Sequence, residues 1–236
     1  AHVAVHSIKD DGGLGDRPIE WLETAPAAHC IQTDPSNRFA FVPHIANRGP
    51  NQIYQFAFDE NTGHLTPNSP PRVAPTEYLG PRHFCFHPSL DILYFTDEQG
   101  CSVTAYRLDT GAGTLQAFQT ISTLPDGYSD SNSCSQIQIT PNGNFLYAPN
   151  RGHNSIAMFR INEKNGKLTT LGHESTRGST PRNFGIDPTG HFLLAANQQS
   201  DNVAVFRINQ DTGKLKFTGN EIKLSKAVCV RMILQD

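Results

Sequence analysis

The sequence predicts an all-β protein, a β-propeller built from four-stranded antiparallel blades. Three observations support this prediction. An alternating apolar hexad recurs along the whole chain, a second apolar series recurs in step with it, and polar turns separate the two. No segment of helical length shows a 3.6-residue apolar period. Short alternating strands in units of about 50 residues are typical of propeller blades.

The hexad series predicts the third strand of each unit. Its members occupy residues 3–8, 53–58, 103–108, 156–161 and 203–208, so their starts lie 50, 50, 53 and 47 residues apart. Polar turns that end in glycine follow several of them, at 59–63, 162–166 and 209–213. Because Asn, Asp and Gly favour tight turns between two strands, a fourth strand is expected after each turn.

The second series predicts strand two of each unit. It covers residues 39–42, 92–95, 145–148 and 192–195, and turns such as 34–37 and 140–143 precede it. A first strand is expected before those turns, so that every unit holds four short strands. A β-sandwich would not require such self-similarity, which favours a propeller.

We expect one domain with about four and a half blades. The predicted blades span residues 29–80, 81–132, 133–179 and 180–226; residues 1–28 form part of a preceding blade, and residues 227–236 a closing strand. Ring closure removes exposed sheet edges. Three arrangements remain open: blades are missing before Ala1, the ring has five blades and lacks a strand, or two copies complete each other.

Composition excludes several classes of protein. Hydrophobic residues make up 37% of the chain and charged residues 17%, and the mean hydropathy is -0.43, as in soluble globular proteins. No apolar run approaches a membrane span. The net charge of -3 gives no general attraction to polyphosphate. We therefore expect neither nucleic acid nor a membrane as a partner.

The cysteines bear on the compartment. Five are present, an odd number, and none forms a C-x-x-C pair: Cys30, Cys85, Cys101, Cys134 and Cys229. Most lie inside apolar strand patterns. This usage favours buried free thiols in the reducing cytoplasm. The chain starts at Ala1, already in a strand pattern, so a targeting segment upstream of it is left open.

Alignment of the repeats separates positions that recur from positions that break the pattern. One position, here called slot one, begins the first and innermost strand of each blade and is occupied by His29, Arg82, Ser135 or Arg182. A second position, slot two, lies just beyond strand two and is occupied by Ile45, Glu98, Arg151 or Gln198. Since strands one and two are antiparallel, both slots should open at the same end of the central channel.

The two slots predict a polar site at one mouth of the channel. Its charged members are His29, Arg82, Glu98, Arg151 and Arg182. Several cations around one carboxylate and one imidazole can bind an anion and transfer a proton. The neighbouring residues His83, Asn150 and Asn197 add polar groups. Asp97 adds further polar capacity.

Structural roles are the alternative for each of these residues. Arg82, Glu98 and Arg151 could form an ion-pair network between blades, Arg182 could bond to carbonyls of a neighbouring blade, and His29 could be a satisfied buried histidine. If all these roles are structural, the convergence of the residues at one end of the channel is a coincidence.

No metal and no cofactor are expected. The remaining histidines of interest show no metal-ligand spacing and are interpreted as surface or turn residues: His44, His64, His87, His153, His173 and His191. Only Asp97 and Glu98 offer carboxylates near the predicted mouth, which disfavours calcium.

Several strings in this sequence resemble one known family, the seven-bladed lactonase propellers, which include bacterial 6-phosphogluconolactonase and the fungal carboxymuconate lactonizing enzyme. The resemblance covers essentially the whole chain. It is carried by GPRHF (80–84) with His87-Pro88, ISTLP (121–125), NRGHNSI (150–156), and TPRNF (180–184) with AANQ (195–198). These strings are far more specific together than singly.

The resemblance implies an active site that uses one His, two Arg and one Glu, matched here by His29, Arg82, Arg151 and Glu98. All four are among the five charged residues found by the repeat alignment. We therefore assign catalysis to these four residues, and substrate binding to His83, Asn150, Arg182 and Asn197. Two departures stand out. The family commonly has a short His-rich or Gly-containing string before this histidine, whereas the sequence here reads PAAHC (26–30). The family is also longer at the N-terminus by about two blades of ~45 residues each.

The leading hypothesis is hydrolysis of a sugar lactone, 6-phosphogluconolactone foremost, with a small anionic lactone or sugar phosphate as the partner. Arg82 and Arg151 would hold phosphate or polarise the carbonyl, and Glu98 and His29 would share the acid and base roles. The alternatives are a cycloisomerase that closes a carboxymuconate and a non-catalytic or incomplete binding propeller. Self-association through incomplete propeller edges is a further hypothesis.

Overall fold

In this computed structural model, which describes residues 1–233, every regular element is a β-strand. The described strands form four four-stranded antiparallel sheets and one two-stranded sheet. Within each four-stranded sheet the spatial order follows the chain order, so each sheet is a meander. The predicted all-β propeller of four-stranded blades is therefore confirmed.

The two-stranded sheet, called the partial blade, pairs β1 (His2–Val5) with β2 (Glu20–Glu23). Blade 1 contains β3 (Gln32–Thr33), β4 (Phe39–His44), β5 (Gln52–Phe58) and β6 (Leu65–Val73). Blade 2 contains β7 (Pro81–Phe86), β8 (Ile92–Asp97), β9 (Ser102–Asp109) and β10 (Thr114–Ser122).

Blade 3 contains β11 (Gln138–Ile139), β12 (Phe145–Asn150), β13 (Ser155–Ile161) and β14 (Leu168–Ser175). Blade 4 contains β15 (Pro181–Ile186), β16 (Phe192–Asn197), β17 (Asn202–Ile208) and β18 (Leu215–Lys223). The predicted third strands correspond to β1, β5, β9, β13 and β17. In the partial blade the strand ends at Val5, and Ile8 pairs only with Leu14 through an isolated bridge.

The hydrophobic core consists of layers between adjacent blades. The layer between blades 2 and 3, for example, joins Tyr94 and Ala105 to Leu146 and Phe159. Similar layers lie between blades 3 and 4, between blades 1 and 2, and between the partial blade and blade 1. Strand two of blades 1, 2 and 3 is buried along its whole length, because a neighbouring sheet covers each of its faces.

The hairpin turn between strands three and four seals each layer. Gly113, Gly166 and Gly213 have φ values of 66°, 70° and 70°. A Cβ at any of them would also collide with a side chain of the preceding blade, for instance the Phe39 ring at Gly113. Glycine is needed here for both reasons, and the turn of one blade therefore lies on the core of the blade before it.

Two buried tyrosines bond to the same turns. The Tyr94 hydroxyl donates to the Gly166 carbonyl at 2.7 Å, and the Tyr147 hydroxyl donates to the Gly213 carbonyl at 2.9 Å. Both rings are fully buried. Each bond thus links strand two of one blade to the turn of the next.

The predicted closing strand, 227–236, is described only as far as residue 233. Residues 227–233 carry no assigned strand. Ala227 and Val230 pack on Ala196 and Val203 of blade 4, and the Val230 amide donates to the Asn183 side chain at 2.9 Å. The segment follows the inner strand of blade 4 but forms no ladder among the described residues; residues 234–236 lie outside the description.

None of the described residues belongs to a helix that could span a membrane.

Replacement of Tyr94 by Phe tests the bond between blades. Tyr94→Phe removes the hydroxyl and leaves the buried Gly166 carbonyl without its donor, so we expect the free energy of unfolding to fall by about 1–2 kcal/mol. Equilibrium urea denaturation measures this loss. Tyr106→Phe is the matched control, because the Tyr106 hydroxyl is buried without a partner among residues 1–233. Equal losses in the two variants would contradict the assignment.

Candidate functional site

Slot one coincides with an irregularity of the innermost strand in every full blade. In blades 2 and 4 the register between strands one and two shifts immediately after Pro81 and Pro181, which places Arg82 and Arg182 in bulges. In blades 1 and 3 only isolated bridges form there, Ala28 with His44 and Cys134 with Asn150. Bulges release a residue from regular alternation and can turn its side chain toward a site.

Slot two is attached to slot one by one repeated backbone bond. The amide of each slot-two residue donates to the carbonyl two residues before slot one: Ile45 to Ala27 at 3.2 Å, Glu98 to Gly80 at 2.7 Å, Arg151 to Ser133 at 2.9 Å, and Gln198 to Thr180 at 3.0 Å. The predicted neighbourhood of the two slots is therefore present in all four full blades. It places the charged residues of successive blades at one end of the inner strands.

Glu98 is the centre of the charged cluster. Its Oε2 contacts Nε of Arg82, from slot one of the same blade, and lies 3.0 Å from Nη2 of Arg151, from slot two of blade 3. The side chains of Glu98, Arg151 and Arg82 are 15%, 12% and 4% exposed. The carboxylate thus joins two blades, and Arg151 offers more surface to solvent than Arg82.

Arg151 is oriented by backbone as well as by Glu98. Its Nη2 donates to the Cys134 carbonyl at 2.6 Å, and its Nε donates to the Ser133 carbonyl at 3.4 Å. The Cys134 amide in turn donates to the Glu98 carbonyl at 3.2 Å. The guanidinium is consequently held in one direction before any ligand arrives, as preorganised electrostatic sites require.

His29 lies in the field of the same cluster. Its Nδ1 lies 3.0 Å from the Ala27 carbonyl, which can only accept a hydrogen bond, so Nδ1 carries the proton and Nε2 keeps its lone pair. Burial lowers the pKa of His29 below its usual value, and the charges of Arg82 and Arg151 lower it further, while Ala27 and Glu98 act in the opposite direction. At neutral pH the ring is a neutral proton acceptor.

Positive charge is concentrated at this mouth. Burial lowers the pKa of Arg82 to about 10, and the neighbouring Arg151 and Arg182 lower it as well, but the guanidinium remains protonated at neutral pH. Arg182 is half-buried and makes no hydrogen bond or ion pair within residues 1–233. It therefore does not show the carbonyl bonds expected if its role were to join blades.

His83 occupies the same bulge as Arg82 and contacts the Gln136 side chain of blade 3 through Nδ1. Burial and the charge of Arg82 lower its pKa to about 4, so the ring is neutral at physiological pH. Slot one of blade 3 differs from the others: Ser135 is fully buried and donates to the Pro181 carbonyl at 2.8 Å, which links blades 3 and 4.

Asn150 and Asn197, predicted to bind substrate, lie inside the fold instead. Both are 0% exposed. Each ends strand two of its blade and donates from Nδ2 to a carbonyl at the end of the preceding blade, Thr123 at 2.7 Å and Thr176 at 2.9 Å. Because these amides bond blades together and reach no solvent, we leave both residues out of the substrate site.

Asp97 occupies the equivalent position in blade 2. Its Oδ2 accepts from Ser102 at 2.6 Å and from Thr104 at 2.7 Å, while its Oδ1 is buried without a partner among the described residues. Burial raises the pKa of this carboxyl to about 7, against the two hydroxyl bonds that favour the anion. A carboxylate here cannot donate to the preceding blade as Asn150 and Asn197 do.

The interpretation of these histidines as surface or turn residues was wrong for His44 and His173, which lie in strands. His44 ends β4, is fully buried and packs against Tyr54 at 4.5 Å between ring centroids. His87 is a buried turn residue that caps the Ser89 and Leu90 amides, and His173 lies within β14. His44 shares its repeat position with Asp97, Asn150 and Asn197, and all four residues are fully buried.

Within residues 1–233 no group of three or more His, Cys, Asp or Glu side chains is arranged to hold a metal ion.

Comparison with known sequences gives one matching family. The profile described as "Lactonase, 7-bladed beta-propeller" matches residues 1–232. The 6-phosphogluconolactonase of Pectobacterium atrosepticum is 36% identical over 186 residues, which are 79% of this chain and 54% of that protein. For the 6-phosphogluconolactonase of Bacillus subtilis the values are 32% over 188 residues, 77% and 53%. The chain thus spans about half the length of these relatives.

Solved structures share the fold. A protein from Lactobacillus plantarum superposes with a TM-score of 0.89 at 26% identity, covering 98% of this chain and 67% of that one. The periplasmic gluconolactonase of Pseudomonas aeruginosa gives a TM-score of 0.85 at 23% identity, covering 98% and 69%.

Replacement of Asp97 by Asn should stabilise the protein at alkaline pH. The folded pKa of Asp97 is about 7, and an unfolded aspartate titrates near ~3.9. Between these values the folded state binds more protons, so stability decreases as pH rises through about 7. Asp97→Asn removes this decrease, because the amide is neutral and can donate, as Asn150 and Asn197 do.

We expect Asp97→Asn to raise the free energy of unfolding by about 1–2 kcal/mol at pH 8 and by less at pH 5, measured by urea denaturation at both pH values. Asn150→Asp is the mirrored control and should lose stability at pH 8. A gain for Asp97→Asn that is the same at both pH values would disprove the linkage.

Proposed function

This chain belongs to the lactonase family of seven-bladed β-propellers, and on that premise we propose that it hydrolyses 6-phosphogluconolactone to the open acid. One observation carries the proposal: Glu98 holds two guanidinium groups, from Arg82 and Arg151, beside a neutral imidazole. Lactone hydrolysis needs both features, a base for water and a positive field for the developing oxyanion.

The charge of the mouth supports an anionic substrate. The mouth holds three guanidinium groups, on Arg82, Arg151 and Arg182, and one carboxylate, that of Glu98, which leaves an excess of two positive charges. A phosphate monoester carries nearly two negative charges at neutral pH, and guanidinium forks match its oxygens. The side chain of Arg182 is partly exposed and makes no hydrogen bond or ion pair among the described residues. We therefore assign phosphate binding to Arg182 and His83.

In the proposed reaction His29 takes a proton from water through Nε2 while the water oxygen attacks the lactone carbonyl. The carbonyl oxygen becomes negative, and the Arg151 guanidinium stabilises it. The tetrahedral intermediate then expels the ring oxygen as an alkoxide, which receives the proton from His29. The products are the open carboxylic acid and the regenerated neutral imidazole.

Glu98 and Arg82 have supporting roles in this scheme. The Glu98 carboxylate is already shared between Arg82 and Arg151, so we assign the base to His29 and the orientation of Arg151 to Glu98. Arg82 is more buried than Glu98 and Arg151, and its charge adds to the positive potential of the site. The sequence left open whether His29 or Glu98 is the base, and the two ion pairs of Glu98 support His29.

Two further predictions remain proposals. The described cysteines are all free thiols, which supports a reducing compartment such as the cytoplasm. A small anionic lactone is the proposed partner, whereas self-association through the propeller edges stays a prediction that sedimentation can test.

Substitution of Arg151 tests the proposal directly. Arg151→Ala should lower kcat/KM for 6-phosphogluconolactone by at least about a hundredfold, because an oxyanion donor is lost. The fold should persist, since Glu98 keeps its contact with Arg82. Arg160→Ala is the matched control; Arg160 lies exposed on β13 and bonds to the Asp211 carbonyl, away from the site.

The assay uses a pH indicator or coupled oxidation of the product, with carboxymuconate as a second substrate. Unchanged turnover in Arg151→Ala would refute the assignment of this residue. Tight binding of 6-phosphogluconate without hydrolysis would indicate a binding propeller instead, and conversion of carboxymuconate alone a cycloisomerase.

The pH dependence of the reaction should report His29. Burial and the two arginines lower the pKa of His29 below its usual value of about 6.5. On the acid side kcat/KM should therefore increase about tenfold per pH unit, and it should reach its plateau once the pH exceeds this lowered pKa. His29→Gln should abolish most activity and remove this limb from the residual rate. An acid limb centred above pH 6.5, or one retained in His29→Gln, would exclude His29 as the base.

A further inference from the structure

Two thiols, those of Cys101 and Cys134, lie next to the charged cluster. Cys134 is fully buried and Cys101 is partly exposed. The amide group of Asn132 donates to Cys101 Sγ at 3.3 Å and to Asn150 Oδ1 at 2.9 Å, and Cys134 Sγ donates to the same Asn150 oxygen at 3.7 Å. The Cys134 Sγ lies 3.1 Å from the Thr123 hydroxyl. Both sulfurs therefore belong to one network of side chains, with Thr123, Asn132 and Asn150.

Cys101 breaks a regular feature of the repeat. The residue before strand three has positive φ in every full blade: 57° at Asn51, 50° at Cys101, 54° at Asn154 and 54° at Asp201. Asn and Asp tolerate this left-handed conformation best among non-glycine residues, and cysteine does not share that advantage. A repeat that uses Asn or Asp three times therefore carries cysteine in blade 2 against local preference.

The other three residues also perform a structural task that Cys101 does not. Asn51 accepts a bond from the Gly80 amide at 2.8 Å, Asn154 from the Thr180 amide at 2.8 Å, and Asp201 from the Lys226 amide at 2.7 Å. These bonds fix the start of the next segment. Cys101 Sγ instead accepts a hydrogen bond from the Asn132 side chain.

Cys134 breaks the pattern as well. It stands immediately before slot one, where blades 1, 2 and 4 have Ala28, Pro81 and Pro181. Two departures from the repeat thus meet at one point. Since positions that deviate from the repeat also form the charged site, this coincidence points to a function for the thiol pair.

The surroundings make the two thiols unequal. The neighbouring Cys134 thiol lowers the pKa of Cys101; burial acts in the opposite direction, and Asn132 and the charge of Arg151 lower this pKa further. The pKa of Cys134 is raised by Cys101 and by burial. A more acidic, partly exposed thiol beside a buried neutral one is the arrangement of an attacking and a resolving cysteine.

We propose that Cys101 and Cys134 form a reversible disulfide in response to peroxide, and that this bond weakens anion binding at the Arg151 site. Cys101 as thiolate attacks one oxygen of hydrogen peroxide; an S–O bond forms, the O–O bond breaks, and hydroxide leaves with the proton that Cys101 released. The sulfur of Cys134 then attacks the sulfenic sulfur; the S–S bond forms, the S–O bond breaks, and the departing hydroxide takes the Cys134 proton. Two thiols and one peroxide give one disulfide and two waters.

The coupling runs through the Cys134 backbone. Its carbonyl accepts from Arg151 Nη2 at 2.6 Å, and its amide donates to the Glu98 carbonyl at 3.2 Å. A disulfide requires the two sulfurs to close to about 2 Å. The Cys134 peptide moves with its side chain, so both hydrogen bonds that orient Arg151 and Glu98 are disturbed.

Peptide mapping under non-reducing conditions tests the bond itself. After treatment with hydrogen peroxide, we expect a cross-linked peptide containing Cys101 and Cys134, which dithiothreitol restores to free thiols. Cys229, which is exposed, is the internal comparison for general oxidation. Oxidation of Cys229 while Cys101 and Cys134 stay reduced would overturn the proposal.

Two variants separate the roles of the thiols. Cys134→Ala, which installs the residue of blade 1, should leave a sulfenic acid at Cys101 that a 1,3-diketone probe traps. Cys101→Asn, which installs the residue of blades 1 and 3, should fold and show no trapping at Cys134. Trapping at Cys134 in Cys101→Asn, or none at Cys101 in Cys134→Ala, would reject the assigned order of attack.

The effect on the site rests on the proposed function when 6-phosphogluconate is the probe. We expect oxidation to weaken its affinity about tenfold in calorimetric titration, the loss of roughly one charged hydrogen bond, and Cys101→Asn to be insensitive to peroxide. Equal affinities for the reduced and disulfide forms would refute the coupling. If the reduced protein does not bind the ligand, the proposed function fails, and hydrogen exchange at the Cys134 amide decides the coupling alone: faster exchange in the disulfide form supports it, and unchanged exchange rejects it.

Discussion

One backbone hydrogen bond, repeated in each full blade, determines where the charged residues of successive blades come together. The amide that follows strand two donates to the carbonyl that precedes strand one, as from Glu98 to Gly80 and from Arg151 to Ser133. The bond places two side chains of each blade at the mouth, one on either side of it. Because the bond involves only backbone atoms, the side chains at both positions can differ from blade to blade, and the fold tolerates a charged residue in one blade and Ile45 in another.

The scaffold must also offset the cost of burying charge. Arg82 is almost completely removed from water, and a buried guanidinium without a partner would be strongly destabilising. Glu98 balances it, and Glu98 is also the link to Arg151 in the next blade. The residues that arrange the site therefore also join two blades. The structural and functional interpretations of this cluster, which compete at the level of sequence, describe the same contacts.

The sequence is sufficient to predict strands two and three of each blade, since their apolar alternation follows directly from burial between neighbouring blades. It also places slot two, because that position follows a strand with a clear end. The short inner strands are less predictable: β3 and β11 contain two residues each, and β7 and β15 contain register shifts.

The burial of polar residues is also less predictable. Asn150, Asn197 and His44 are polar in sequence, and burial depends on hydrogen bonds to a neighbouring blade that no local pattern reveals. The thiol pair was missed for a related reason, since Cys101 and Cys134 belong to different blades and meet only in three dimensions.

The turns that cover each core give the array a direction. Each hairpin turn covers the blade before it, and the tyrosine hydroxyls of strand two point forward along the chain to Gly166 and Gly213. A turn that opens would expose the apolar layer on its N-terminal side, while the blade on its C-terminal side keeps its own cover. Local opening in this protein should therefore spread toward the N-terminus more readily than toward the C-terminus.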